Sequence, residues 1–356
     1  MQQVFYSPFD LTVDRMSRLI LINFESDRDV HYNVFELQQA CNEDSGDRLV
    51  CLVAYRKDGG SDIYFQKDYP LASQSSILNE VSFFETDFEY VKFDFDNDTL
   101  DVGFTFEDRY RRKIEISVHV HNRATKRLIF LLASVVVVSK KPKSLPVYSL
   151  HNFTFARIKY SKIKIMIDGR EHKPDKFPLP LDFSRNYMTR YSTDTYNVDC
   201  NKEFSGELLP IYPGPDNRAL VNGVNYTLRK TEDHYQIEAI STCDVRHSTT
   251  IKFHPPFPSA MSSGKNMNAE GVFSIVTDGS GGEVVGEYKV QRINDEIGVT
   301  MHPCRGWIPN DKRVVLKIMF WVVRVFKSWP KSYLWEAKIK TTPTGNPTMT
   351  SAWKRI

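Results

Sequence analysis

Runs in which apolar and polar residues alternate recur along this chain of 356 residues, for example at residues 90–95, 113–120 and 250–254. Alternation with a period of two places successive side chains on opposite faces of a strand, so that one face is buried. Glycine-containing turn signals separate such runs at Asp58-Gly59-Gly60 and Asp168-Gly169. They are typical of hairpins rather than of βαβ units. We therefore predict a mainly β fold of two antiparallel β-barrel or β-sandwich domains with few helices and an apolar C-terminal segment.

The length of the chain indicates two domains, and proline-containing stretches at residues 174–180 and 210–215 lie near its middle. We predict an N-terminal β-rich domain at residues 1–195 and a C-terminal β-rich domain at residues 196–356. Each half contains an acidic turn, a basic residue and an alternating strand in the same order, which is a weak internal repeat. This architecture is compatible with tandem lipocalin-like proteins, which bind or transform terpenoid- and carotenoid-like molecules; the analogy is one of architecture, without a diagnostic motif, and it suggests lipocalin-like halves.

Two segments have the pattern of helices. Residues 33–43 predict a short helix, and residues 312–329 are the only long candidate. Residues 314–326 are almost wholly apolar, and on a helix their two charges, Lys317 and Arg324, share one narrow face. Several β-branched valines favour a strand instead. Three interpretations stay open: a buried helix or strand that closes a barrel, a helix at a membrane interface with cations at anionic headgroups, or the wall of an apolar ligand cavity.

Charge and motif content exclude several classes of protein. Lys plus Arg number 47 and Asp plus Glu number 44, and this small excess does not provide the basic field of a nucleic-acid-binding protein. Neither a glycine-rich phosphate loop nor a Gly-x-Ser-x-Gly elbow occurs, so we predict no nucleotide cofactor and no elbow-type hydrolase. The five cysteines are widely spaced and no signal peptide or membrane span is evident, which predicts a cytoplasmic protein.

Candidate catalytic residues come from one strand and two isolated positions. His119 and His121 are two residues apart on a predicted strand, so both imidazoles share a face with Glu115. Two imidazoles on one face can supply two ligands to zinc or iron, but no second paired signature supplies the remaining ligands, and we predict no metal. Histidine titrates near neutral pH, so the same residues are candidates for acid–base catalysis, together with Asp108 and Arg190.

Candidate ligand-binding residues are arginines and rings. Arg185, Tyr187 and Tyr191 form a dense cluster with Arg190, and guanidinium groups beside phenols suit a carboxylate, phosphate or sugar. Trp307 follows Arg305-Gly306 in a turn that suits a pocket rim. Two rings of the apolar C-terminal segment, Phe320 and Trp321, complete the set.

The leading functional hypothesis is a protein that holds a hydrophobic small molecule in a β-barrel or inter-domain pocket. Such a site could also support cofactor-independent acid–base chemistry, namely hydration, isomerisation or cyclisation. The alternatives are a non-catalytic interaction module at a membrane surface and a carbohydrate-active β-sandwich. The sequence leaves open whether the protein is an enzyme and what its oligomeric state is.

Overall fold

The computed structural model describes most of the chain, and all structural statements below concern these residues: 4–41, 46–71, 80–95, 99–121, 129–133, 142–178, 185–232, 234–243, 246–259, 266–278, 281–342 and 345–356. The architecture is mainly β, with several large sheets, one of which curls into a half-barrel. The mainly β fold predicted from alternation is therefore confirmed.

The strands are, in chain order, β1 (Leu11–Asp14), β2 (Met16–Asn23), β3 (Tyr32–Cys41), β4 (Arg48–Arg56), β5 (Ser61–Phe65), β6 (Val81–Glu85), β7 (Tyr90–Phe95), β8 (Leu100–Glu107), β9 (Lys113–Val120), β10 (Ile129–Ala133), β11 (Leu145–Arg157), β12 (Ser161–Ile167), β13 (Arg170–His172), β14 (Asn186–Ser192), β15 (Asp194–Cys200), β16 (Phe204–Glu207), β17 (Arg218–Val221), β18 (Val224–Lys230), β19 (Tyr235–Cys243), β20 (Ser248–Phe257), β21 (Asn266–Thr277), β22 (Glu283–Ile293), β23 (Glu296–Ile308), β24 (Tyr333–Lys340) and β25 (Thr348–Arg355). The helices are α1 (Val314–Val322) and α2 (Arg324–Ser328), and two short 3-10 turns cover Glu25–Asp27 and Ile158–Tyr160.

The chain divides into two compact units. Unit 1 comprises Met1–Asp14, Leu132–Ser149 and Asn197–Ile356, and unit 2 comprises Arg15–Leu131 and Leu150–Tyr196. Both units are therefore built from discontinuous pieces of the sequence.

Unit 2 is a sandwich of two sheets. One sheet contains the run of neighbouring strands β11-β14-β2-β3-β4-β5-β6, in which β11 also pairs with β10 and β15, and the other has the order β13-β12-β9-β8-β7. Neighbouring strands are antiparallel except β5 and β6, which are parallel. Side chains at alternate positions of both sheets form one core, in which Tyr64 of the first sheet lies 4.7 Å from Phe106 of the second, between ring centroids. The alternation at residues 90–95 and 113–120 thus marks real strands, β7 and β9.

A charged network ties the turn that follows β8 to the other sheet of unit 2. Arg112 donates hydrogen bonds to Asp108, at 2.8 and 3.0 Å, and to both carboxyl oxygens of Asp29, at 2.9 and 3.0 Å. Asp62 is fully buried and accepts a hydrogen bond from Arg109 at 3.1 Å. Removing one member of such a buried pair leaves an uncompensated charge, which is far more destabilising than losing an exposed ion pair.

The helix predicted at residues 33–43 is wrong, because the chain there forms β3. This strand pairs with β2 on one side and β4 on the other. Phe35 and Leu37 face the sandwich core, while Glu36 and Gln38 on the opposite face are also buried. Burial of both faces hides the alternation that marks a strand, and pairing with two neighbours overrides the local helical pattern.

Unit 1 is organised by one antiparallel sheet with the strand order β16-β25-β24-β23-β22-β21-β20-β19-β18-β17. Alternate residues of β24 and β25 are buried, as the period-two pattern requires. The N-terminal segment packs on the same core: the Phe9 ring lies 5.0 Å from that of Phe253 and 4.8 Å from that of Phe257. The first residues of the chain are therefore part of the unit that its last residues complete.

A buried carboxyl group makes the stability of unit 1 depend on pH. Burial raises the pKa of Asp199 to about 6, although the Ser144 hydroxyl donates a hydrogen bond to it at 2.8 Å. The folded pKa lies above the unfolded value of about 3.9, so the folded state binds the proton more tightly. The protonated Asp199 carboxyl group therefore stabilises the folded state fully below about pH 4, and this stabilisation is lost as the pH rises through 6.

We expect Asp199→Asn to raise the free energy of unfolding at pH 8, by on the order of 1–3 kcal/mol, and to change it little at pH 4. Urea denaturation followed by tryptophan fluorescence is the measurement, because all five tryptophans belong to unit 1. Asp295→Asn, at an exposed position of the same unit, is the control. Equal effects of Asp199→Asn at both pH values would contradict the assignment.

Candidate functional site

The predicted catalytic residues of unit 2 fall into separate hydrogen-bonding groups. His119 and His121 lie together on the exposed face of the second sheet, with 2.7 Å between their Nε2 atoms. Glu115 on the same strand instead forms ion pairs, at 3.3 Å with Lys164 and at 3.8 Å with Lys113. The structure therefore brings the two histidines together and engages Glu115 elsewhere.

Asp108 and Arg190 have different partners again. Asp108 is 4% exposed and accepts hydrogen bonds from the Arg112 side chain and from the backbone N–H of Tyr110. Arg190 donates to the Asn23 side chain at 2.6 Å, and burial lowers the pKa of its guanidinium. Asp108 organises a turn, and the contacts of Arg190 and Asp108 are separate from those of the histidines.

The predicted ligand-binding cluster around β14 is divided by burial. Tyr191 is fully buried in the sandwich core of unit 2, and Tyr187 is partly buried against that core. Arg185 is exposed immediately before the strand. Tyr187 and Tyr191 thus share the core-facing side of β14, while Arg185 lies outside the strand.

The apolar C-terminal segment of unit 1 is helical. Residues 314–328, called the helical segment below, contain α1 and α2. The two helices are separated by Val323, whose backbone is extended, with φ −75° and ψ 111°. The strand alternative for this segment is therefore wrong. The described residues contain no helix with the length and apolar character needed to cross a bilayer.

A cluster of three rings holds the helical segment against the sheet of unit 1. Phe320 of α1 lies 4.8 Å from Trp307 at the end of β23, and Phe326 of α2 lies 5.6 Å from the same indole, between ring centroids. The indole N–H donates a hydrogen bond of 2.6 Å to the Gly281 carbonyl. Phe320 and Trp307 are each 6% exposed. Two of the predicted ligand-binding rings thus pack on each other.

The opposite side of α1 exposes large apolar side chains to solvent. Val314 and Trp321 are each 69% exposed, Val322 is 61% exposed and Ile318 is 55% exposed. Their spacing of three to four residues places them along one side of the helix. We call these four residues the exposed apolar face. Such contiguous exposure of large apolar side chains is typical of a surface that binds a partner or a membrane.

Cations are concentrated in the part of the sequence that carries the exposed apolar face. Residues 311–331 contain six Lys or Arg residues, all exposed, and one acidic residue, Asp311, whose carboxylate pairs with Arg313 at 2.5 Å. The segment thus carries a net charge of +5 within a chain whose total is +3. The Lys327 ammonium lies 4.6 Å from the centroid of the Trp321 ring, which places a cation directly over the most exposed indole.

We find no protein-family model, curated protein or solved structure that matches this chain significantly. We therefore infer its function from the chemistry of its own residues.

Sequence reasoning missed two features: the contact between the rings, and the concentration of cations in residues 311–331. Trp307 and Phe320 both appeared as ligand-binding candidates, but nothing in the sequence shows that they contact each other. The charge pattern was available: no acidic residue occurs between Asp311 and Glu336, whereas cations recur throughout. Counting charge by segment rather than over the whole chain would have found it.

We expect Phe320→Ala to release the helical segment from Trp307, because it removes the ring that fills the contact. Trypsin should then cleave after Arg324 and Lys327 faster than in the wild type, and tryptophan emission should shift to longer wavelength. Val314→Ala, at an exposed position of α1, should leave both unchanged. Unaltered cleavage and emission in Phe320→Ala would show that the ring cluster does not hold the segment.

Proposed function

We propose that this protein is a non-catalytic, membrane-peripheral module that attaches to anionic lipid surfaces through its helical segment. The observation that carries the proposal is the exposed apolar face with cations around it on a segment anchored by buried rings. An interfacial helix needs apolar side chains that enter the acyl boundary and cations that meet the headgroups. The helical segment presents both while its other side stays packed on unit 1.

The energetics of this surface favour a bilayer as its partner. Each large side chain of the exposed apolar face gains on the order of 1 kcal/mol when it leaves water. Each Lys or Arg near an anionic leaflet adds about 1 kcal/mol. Tryptophan favours the headgroup level, where its ring is half wet. Because the helices are already folded, attachment does not require ordering of this segment, in contrast to a peptide that folds on the membrane.

Charge argues against a second copy of this chain as the partner. A two-fold dimer through the exposed apolar face would bring the cations of residues 311–331 next to the same cations of the other copy. Like charges in such a contact oppose association. A surface of anionic headgroups neutralises these cations instead, so charge complementarity favours a lipid surface as the partner.

Co-sedimentation with vesicles tests the proposal. We expect the wild type to bind vesicles of phosphatidylserine and phosphatidylcholine at low salt, and binding to weaken as salt is raised. The double variant Ile318→Ala/Trp321→Ala should weaken binding about tenfold or more. The matched control Leu209→Ala/Tyr212→Ala removes an equally exposed aliphatic and aromatic pair from the same unit, at 70% and 56% exposure, and should bind as the wild type does.

Charge-reversal variants separate the electrostatic contribution to vesicle binding from the apolar contribution. Lys317→Glu/Arg324→Glu should weaken binding to anionic vesicles about tenfold or more, while Lys289→Glu/Lys338→Glu makes the same net-charge change on the sheet of unit 1. No sedimentation of the wild type at low salt, or equal loss in both charge pairs, would overturn the proposal. A dimer in solution that Trp321→Ala dissociates would assign the face to self-association and would also overturn it.

The other functions predicted from the sequence rank behind this one. A lipocalin-like pocket for a hydrophobic small molecule, with or without acid–base chemistry, stays a prediction, as do a carbohydrate-active sandwich and a cytoplasmic location. The described rings of unit 2 contact each other, for example Phe93 and Phe104 at 6.1 Å between centroids, as in a core filled by side chains. The four side chains of the exposed apolar face are instead between 55% and 69% exposed, which supports the membrane proposal.

A further inference from the structure

The exposed face of the second sheet in unit 2 carries two histidines whose rings meet at an angle. Their Nε2 atoms are 2.7 Å apart, their ring centroids are 4.2 Å apart, and their planes are almost perpendicular, at 88°. In a linear N–H···N hydrogen bond the two rings lie end to end, so the centroids would be separated by the nitrogen distance plus two ring radii. The smaller separation shows that the two rings are bent relative to each other, so that both Nε2 atoms lie side by side on the exposed face.

The sheet fixes this arrangement from both sides. His119 lies directly opposite Asp101 of β8, and its Nδ1 is 3.6 Å from a carboxyl oxygen of that residue. The Lys92 ammonium donates a hydrogen bond of 2.6 Å to the Asp101 carboxylate. His121 follows the end of β9, and its backbone N–H donates a hydrogen bond of 2.8 Å to the Tyr160 carbonyl.

A carboxylate behind one imidazole nitrogen is the arrangement found around protein metal ligands. A carboxylate beside Nδ1 favours the tautomer that leaves the Nε2 lone pair for a metal ion. In the same tautomer, His121 would supply a second Nε2 lone pair next to the first, in place of the hydrogen bond between the two rings.

We propose that His119 and His121 bind one divalent copper or nickel ion through their Nε2 atoms, with Asp101 as the group that orients His119. The proposal is independent of the membrane function proposed above. Imidazole nitrogens bind such ions at about 2.0–2.1 Å, so two ligands at right angles are about 2.9 Å apart and two tetrahedral ligands about 3.3 Å apart. The observed 2.7 Å is closer to the right-angled, tetragonal arrangement, which copper(II) and nickel(II) adopt and structural zinc does not.

The remaining coordination positions are open to solvent or to a small ligand. Among the described residues no group of three His, Cys, Asp or Glu side chains surrounds a common point. Two protein ligands on an exposed face give an exchangeable site, in contrast to the closed four-ligand sites that stabilise folds. The metal would therefore be acquired and released without unfolding of unit 2.

Calorimetric titration of the full, tag-free chain with copper(II) in a buffer containing glycine as a weak competitor tests the proposal. We expect one ion per chain, bound more tightly than zinc. His119→Asn and His121→Asn should each weaken binding about tenfold or more, and Asp101→Asn should weaken it by a smaller factor. His254→Asn, an exposed histidine on β20 of unit 1, is the matched control and should bind as the wild type does.

Electron paramagnetic resonance of the wild-type complex gives a second readout that does not depend on the folding of any variant. A tetragonal copper(II) spectrum with coupling to two nitrogens is expected. A wild type without a stoichiometric site, a spectrum without nitrogen coupling, or unchanged affinity in either His119→Asn or His121→Asn would overturn the proposal.

Discussion

The packing of Phe320 and Phe326 on Trp307 determines which side chains of the helical segment are exposed to solvent. Trp307 is placed by the pairing of β22 with β23, opposite Val284, and its indole N–H is bound to the Gly281 carbonyl. Lys317 is the one charged residue of α1, so whichever side the rings bury, most of the remaining helix surface exposes apolar atoms. The extended backbone at Val323 lets both phenylalanines reach the same indole. The exposed apolar face is thus a direct consequence of an anchored apolar segment.

Exposed apolar surface alone does not identify a partner, because protein interfaces and lipid interfaces both use it. The membrane proposal therefore also depends on the distribution of charge. The helical segment and its flanks carry more positive charge than the whole chain has in net terms, so the remainder of the protein is slightly acidic. A partner that attracts these cations must be anionic over an area as wide as residues 311–331. A leaflet of anionic headgroups meets that requirement without any specific shape.

The sequence predicted this structure where the two faces of a strand or helix differ in polarity, because only then is the period of the element visible. Alternation at residues 113–120 identified β9 with the correct bounds, because one face of that strand is exposed and the period is visible. The same reasoning failed for β3, where burial of Glu36 and Gln38 as well as of Phe35 and Leu37 removed the contrast between faces. The helical segment stayed undecided for the same reason: a run without polar contrast has no readable period. Contacts between distant residues, such as Phe320 with Trp307, leave no local pattern at all.

The two candidate sites differ in how much of their geometry the local sequence determines. A strand places residues i and i+2 on one face at a nearly constant separation, so the spacing of His119 and His121 already implies that their imidazoles are neighbours. What the spacing cannot show is the register with β8, which places Asp101 opposite His119, with a carboxyl oxygen 3.6 Å from its Nδ1 atom. In the helical segment the sequence shows the apolar and cationic chemistry of the residues but not their geometry. Which of these residues face outward follows only from the position of Trp307 in the sheet. Local spacing is therefore sufficient to find the histidine pair, whereas only the folded sheet shows that Trp321 is exposed and Phe320 is not.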